Sequence, residues 1–241
     1  MDHKVALVMG AGDALGGAIA RRFARAGFTV CVGRRSGEAL EPLRQRIESE
    51  GGAAHTFAVD ARKEDQVVGL FDTIEGTIGA LSVVVFNIGA WYHESVLTLS
   101  VRKFTKVWEM ACFAGFLTGR EAARRMAPRG RGTILFTGAT ASLRGGDGFA
   151  AFAGAKFGLR ALAQSMAREM GPEGIHVAHV VIDGPIDTRF VRERFPDMVA
   201  ALPADGLLAP DDIAENYLML HQQPKSAWSH ELDLRPWAEA W

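Results

Sequence analysis

The chain has 241 residues, 48% hydrophobic and 23% charged, which is enough apolar material for one large domain and too much for a disordered or low-complexity chain. Its 27 basic and 28 acidic residues leave a formal charge of −1, so nothing favours a nucleic-acid partner, which needs a concentrated basic surface. The two cysteines, Cys31 and Cys112, make no disulfide framework, and no His or Cys falls in an HExxH or CxxC pattern, so no metal is expected.

In chain order, MDHKVALVMG lacks the apolar stretch and small-residue cleavage site of a signal peptide. No run approaches the ~18 apolar residues of a membrane span. The expectation is a cytoplasmic protein with no membrane partner. Val5–Met9 reads as a strand and runs through the turn Gly10-Ala11-Gly12-Asp13-Ala14-Leu15-Gly16-Gly17 into a helix over 15–26. Glycines in such a turn let the backbone approach a pyrophosphate, to which the helix N-terminus offers free N–H groups and positive potential.

Strand Phe28–Val32 leads to a helix over 37–50 with Ser36 as its N-cap. Strand Ala54–Val59, helix 63–78 and strand Ser82–Phe86 follow. In a long helix over 99–127, Phe104, Val107, Trp108 and Ala111 fall at i, i+3, i+4 and i+7 as one apolar face. Arg124, Arg125, Arg129 and Arg131 read as its solvated end. Strand Thr133–Phe136, helix 149–171 and strand Val177–Ile182 complete the alternation. The region 183–210, with Pro185, Pro196, Pro203 and Pro210, reads as an irregular excursion with a short helix, either a lid or a passive loop. A helix near 211–222 and a strand near 228–234 end the chain.

The strands are nearly continuous in apolar residues, as a parallel sheet covered on both faces requires. The expected fold is α/β, a three-layer doubly wound parallel sheet of Rossmann-like type, forming one nucleotide-binding domain over 1–241.

The glycine turn and several later segments resemble the short-chain dehydrogenase/reductase family. Its TGxxxGxG opening places Met9 at the Thr, Gly10 at the first Gly, Ala14 at the second and Gly16 at the third. Val59-Asp60 stands where the family has a strand-end Asp that hydrogen-bonds adenine, and Asn87-Ile88-Gly89 matches the end of NNAG. PEGIHVAHVVIDGPIDT matches gIxVnxvxPGxxxT, with His179 for Asn and Asp183 for Pro, while Gly184 and Thr188 are kept. The resemblance implies a nicotinamide dinucleotide held by Gly10, Gly12, Asp13, Leu15, Gly16, Arg34, Asp60, Ala61, Asn87, Gly89, Lys156, Gly184, Ile186 and Thr188. The second strand runs into Gly33-Arg34-Arg35 with no acid until Glu38, so Arg34 favours the 2′-phosphate of NADP. The charge of Asp13 argues mildly the other way, and NAD remains possible.

The same resemblance implies four catalytic side chains: Tyr, a Lys four residues later, Ser, and an Asn in the preceding long helix. Residues i and i+4 share a helix face, so the ammonium acts on the phenol. Lys156 matches, but Phe152 stands at the Tyr, Ala139 at the Ser and Cys112 at the Asn. A one-residue shift in the Ser register leaves Thr140 to supply a hydroxyl. Tyr92 is the candidate replacement acid, with His93, Glu94 and Asp183 as further candidates, while Tyr217 reads as structural. Trp228, Trp237 and Trp241 give the C-terminus an aromatic character suited to covering the cleft or a subunit contact. The two long helices resemble those that pair across the family's two-fold, implying a homodimer or homotetramer.

Three readings follow. The leading one is an NADP(H)-dependent oxidoreductase with an atypical site, acting on a small organic carbonyl, alcohol or imine. The second is a catalytically silent nucleotide-binding or scaffold protein. The third is a non-redox lyase or epimerase.

Overall fold

A computed structural model describes residues 4–239. Seven parallel strands form one sheet in the order β3-β2-β1-β4-β5-β6-β7. They are β1 (Val5–Met9), β2 (Thr29–Arg34), β3 (Ala53–Ala58), β4 (Leu81–Phe86), β5 (Gly132–Thr137), β6 (Ile175–Ile182) and β7 (Glu231–Leu234). β1 is apolar at every position because both of its faces are covered. Ala6 and Val8 join Ile19, Phe23 and Tyr217 on one side, while Leu7 and Met9 join Phe71, Phe86 and Leu117 on the other. The helices α1 (Leu15–Arg25), α2 (Glu41–Ser49) and α9 (Pro210–Gln222) cover the first face. The second is covered by α3 (Glu64–Thr77), α5 (Ala114–Met126) and α6 (Ala150–Met170). This is the expected doubly wound, three-layer fold.

Strand order reverses beside β1: the chain winds outward through β2 and β3, then crosses to β4 on β1's other edge. Crossovers that leave in opposite directions open a crevice at the carboxyl ends of β1 and β4.

Several local expectations are corrected. Ser36 makes no side-chain cap, because residues Gly37–Leu40 form a tight 3₁₀ turn before α2 begins. The long helix is split into α4 (Val101–Trp108), a π turn over Glu109–Phe113, and α5. Val107 and Ala111 are buried, while Phe104 and Trp108 are two-fifths exposed, so the apolar pattern serves two faces instead of one. The arginines at its end are not merely solvated. Arg125 binds Asp72 and Glu121, and Arg129 binds Glu75 and the Leu81 carbonyl, tying α5 and the turn after it to α3 and β4.

The region 183–210 holds two short helices instead of one, α7 (Arg189–Arg194) and α8 (Pro196–Ala201), and its ends meet at a bridge between Ile186 and Leu208. Trp228 stacks on His176 at 4.9 Å, and the Trp237 indole donates to the Ala204 carbonyl at 3.1 Å. Trp241 lies outside the described residues. Among the described residues, no helix is long and apolar enough to cross a membrane, and no cluster of three metal-ligating side chains occurs.

Candidate active site

The crevice is a cleft of about 1270 Å³. One half is built from backbone. At the end of β1, Gly10 adopts φ +86°, a left-handed conformation that suits glycine, and its N–H donates to the Gly33 carbonyl at 2.8 Å. Asn87, at the end of β4, donates its backbone N–H to Met9 and its side-chain amide to the Gly10 carbonyl at 3.3 Å, fixing the turn from the neighbouring strand. A Cβ on Gly16 would lie 2.5 Å from the Gly10 carbonyl oxygen, and one on Gly17 would lie 2.0 Å from that of Gly12. The loop and the start of α1 therefore close on each other only because these positions lack side chains. Gly17, which stands one residue past the family's TGxxxGxG pattern, is thus a structural requirement of this turn.

Over this loop lies Arg34, at the end of β2, with Nη1 3.6 Å from where a Gly12 Cβ would be. Asp13, Leu15, Ala61, Gly89, Gly184, Ile186 and Thr188 line the same cleft, as do Gly10, Gly12, Gly16, Arg34, Asp60, Asn87 and Lys156. The structure thus gathers every residue of the expected nucleotide set. Two of them carry other bonds. Thr188 caps α7, accepting the Val191 N–H at 3.2 Å. The Asp60 carboxylate is gripped by the Arg62 guanidinium at 2.6 and 2.9 Å, which pulls its pKa down to about 2.

The other half is built from side chains. Lys156 is 3% exposed and donates from Nζ to the Thr137 carbonyl at 2.8 Å. Burial lowers its pKa to about 8. Phe152, one turn earlier on α6, holds its ring centroid 6.0 Å from that ammonium. Ala139 and Thr140 line the floor, and the Ala139 N–H donates to the buried hydroxyl of Ser142 at 3.1 Å. Cys112 is buried against Gly158.

The proposed substitute acids are not where the sequence put them. Tyr92 does not line the cleft: its phenol donates to Glu94, and the Lys103 ammonium lies 5.3 Å from its ring. Glu94 also takes the Lys103 ammonium at 2.9 Å. His93 packs on Phe149 at 4.8 Å, outside the lining. Asp183 is fully buried and bound by Arg144 at 3.1 and 3.3 Å. The loop after β4 points Trp91 inward instead. Its ring meets Phe149, Phe190 and Phe195 at 5.8 to 5.9 Å, edge to face. Arg144, Phe149, Phe190 and Phe195 were missed because no motif marks them. They come from two segments that meet Trp91 only in the folded chain.

The family model described as short chain dehydrogenase matches residues 4–199. A short-chain dehydrogenase from Rhodopseudomonas palustris has a crystal structure with 48% sequence identity and a TM-score of 0.84, covering 98% of this chain and all of that one. A metagenomic short-chain oxidoreductase in complex with NADP has 26% identity and a TM-score of 0.83, over 98% of each chain. An oxidoreductase of Bacillus subtilis, YxjF, is 30% identical over 86% of this chain and 81% of its own.

Proposed function

The chain belongs to the short-chain dehydrogenase family, and on that premise we propose that it moves a hydride between NADP(H) and a small organic carbonyl, alcohol or imine, without the family's tyrosine and serine. The observation that carries the cofactor choice is the Arg34 guanidinium lying over the glycine loop, with no acid at the end of β2 to receive an unphosphorylated ribose. The cradle fits a dinucleotide: a closed glycine turn, a helix N-terminus behind it, and a cleft long enough to run from Arg34 to Lys156.

A reduced nicotinamide bound there supplies the hydride and its electron pair. The residues of the chain do the rest. Asn87 and the glycines hold the turn, and Lys156 holds the ribose hydroxyls. As a carbonyl carbon takes the hydride, its π electrons move to oxygen, which then needs one proton. Phe152 and Ala139 carry none to give. Lys156 is the protonated group on that side, and burial has brought its pKa within reach of neutral pH, so it delivers the proton.

A second reading, a nucleotide-binding protein without turnover, is favoured by the same absence of a hydroxyl at 139 and 152. We also propose a homodimer or homotetramer, because Val101, Phe104, Trp108, Phe116 and Phe157 leave one face of α4 to α6 exposed and apolar.

Calorimetric titration with NADPH and NADH tests the cofactor, followed by NADPH oxidation with ketones, aldehydes and imines. NADPH is expected to bind at least ~10-fold more tightly than NADH, the lower end for one charge-assisted contact. Equal affinity overturns the Arg34 assignment. Tight NADPH binding with no turnover on any class selects the second reading. Light scattering of the purified protein checks the oligomer, and a monomer at micromolar concentration removes it.

A further inference from the structure

We infer that Arg144 is the anchor for a substrate carboxylate, so that the cleft takes oxo acids with an apolar or aromatic body, a conclusion that rests on reading the cleft as a site of hydride transfer. Arg144 follows the short turn after β5 and lines the half of the cleft where Ala139, Phe152 and Lys156 lie. Its side chain is 48% exposed, whereas Asp183 beneath it is 0% exposed. Asp183 takes the end of the guanidinium as a fork, from Nη1 at 3.3 Å and Nη2 at 3.1 Å. A second arginine, Arg235, approaches the same carboxylate at 3.4 Å. A buried carboxylate needs such partners. Here it also fixes the orientation of Arg144.

A guanidinium has five N–H groups in one plane. Asp183 occupies the fork at its tip, which leaves the lateral edge of Nε and Nη for a second planar acceptor. A carboxylate matches that edge in shape and charge. A phosphate dianion is a poorer match, because among the described residues Arg144 and Lys156 are the only cations lining this half, and Lys156 serves the ribose hydroxyls and the reacting oxygen in the proposed reaction. The acids that line the cleft, Asp13 and Asp60, stand at the nucleotide end; the carboxylate in contact with Arg144 is Asp183, whose charge is shared with Arg235 at 3.4 Å, itself paired with Asp233. The cleft that Arg144 lines also holds an apolar cluster, Trp91 with Phe149, Phe190 and Phe195 edge to face around it, and Met198. Such a cluster favours an aryl or alkyl body and excludes water, which strengthens a single ion pair.

The test uses phenylglyoxylate and phenylpyruvate, each beside its methyl ester. Binding is measured by calorimetry to the protein alone and saturated with NADPH. The acids are expected to bind roughly 10-fold or more tightly than the esters, as a charge-assisted contact requires. In Arg144→Gln the preference falls to about twofold or less, while Arg144→Lys, which keeps the charge and loses the fork, retains part of it. Equal binding of acid and ester to the unaltered protein, or no binding of either, overturns the inference without relying on any variant that fails to fold. NADPH affinity, read in the same titrations, is expected to be unchanged in Arg144→Gln. A protein that binds NADPH but ignores the carboxylate refutes the anchor alone. One that prefers the acids but does not bind NADPH refutes the hydride-transfer reading and leaves the anchor standing.

Discussion

The two halves of the cleft are made of different material. In the nucleotide half the working parts are backbone: the left-handed turn at Gly10, the contact that only a glycine at 16 permits, and the Asn87 bond across strands. In the substrate half they are side chains standing on an intact scaffold. Lys156 and Phe152 lie on α6 and Ala139 in the turn after β5, yet two of the three carry no chemistry for a proton. Gly10, Gly16 and Gly17 cannot take a side chain without a collision, whereas a ring hydroxyl can vanish with no change in packing. Nucleotide binding is therefore the robust property of this fold, and the reaction is the part free to change.

Adding hydroxyls at 152 and 139, the groups the proposed reaction does without, strains that contrast most. Phe152→Tyr together with Ala139→Ser adds one hydroxyl to a ring already beside Lys156 and another on the floor. Carbonyl reduction is expected to rise by ~10²-fold or more, beyond the product of the single changes, since both groups act on one oxygen. No gain in the folded, NADPH-binding double variant would mean that this half has closed to carbonyls.

On the other side, Gly16→Ala drives a methyl to 2.5 Å from a carbonyl oxygen and should weaken NADPH binding by on the order of 100-fold, with a lower melting temperature. Wild-type affinity there would show that the cradle is looser than its contacts indicate. Next, Arg34→Asp should cost NADPH roughly 10- to 100-fold and leave NADH within about twofold. Equal losses in the two titrations would separate Arg34 from the 2′-phosphate.

Lys156 links the halves and has a pH signature. Its pKa falls from 10.5 to about 8 on folding. Between those values the unfolded chain holds more protons than the folded one, so the contribution of Lys156 to stability rises with pH through that window. Urea denaturation from pH 8 to 10 should therefore show wild type gaining on Lys156→Met. A constant difference would mean that the ammonium is not desolvated. The smallest effect belongs to Tyr92→Phe. The phenol serves Glu94 outside the cleft, so turnover and NADPH affinity should stay within about twofold, by steady-state kinetics and titration. A large loss of turnover would return Tyr92 to the reaction.

Much of this was legible before any coordinates. Apolar runs such as Val5–Met9 and Val177–Ile182 announce buried parallel strands, because such a strand needs no polar face. The glycine turn, Arg34, Asn87 and Lys156 were legible because each sits at a fixed offset from a strand end or within one helix, where local geometry sets what the residue can reach. The π turn at Glu109–Phe113 was not: a single widened turn leaves no mark in an i, i+3, i+4 pattern.

Sequence alone therefore determined the three-layer fold, the glycine turn after β1 and the absence of a phenol at position 152, since these depend on chain-local spacing. It could not decide Tyr92 or Asp183. Both looked available for proton transfer, and only the folded chain shows one turned to Glu94 and the other buried under Arg144. Nor could it assemble Arg144, Trp91, Phe190 and Phe195 into one wall. They lie up to 104 positions apart, from Trp91 to Phe195. What brings them together is the placement of three loops at the carboxyl edge of the sheet, where strand order and helix packing, not any local pattern, fix which side chains meet.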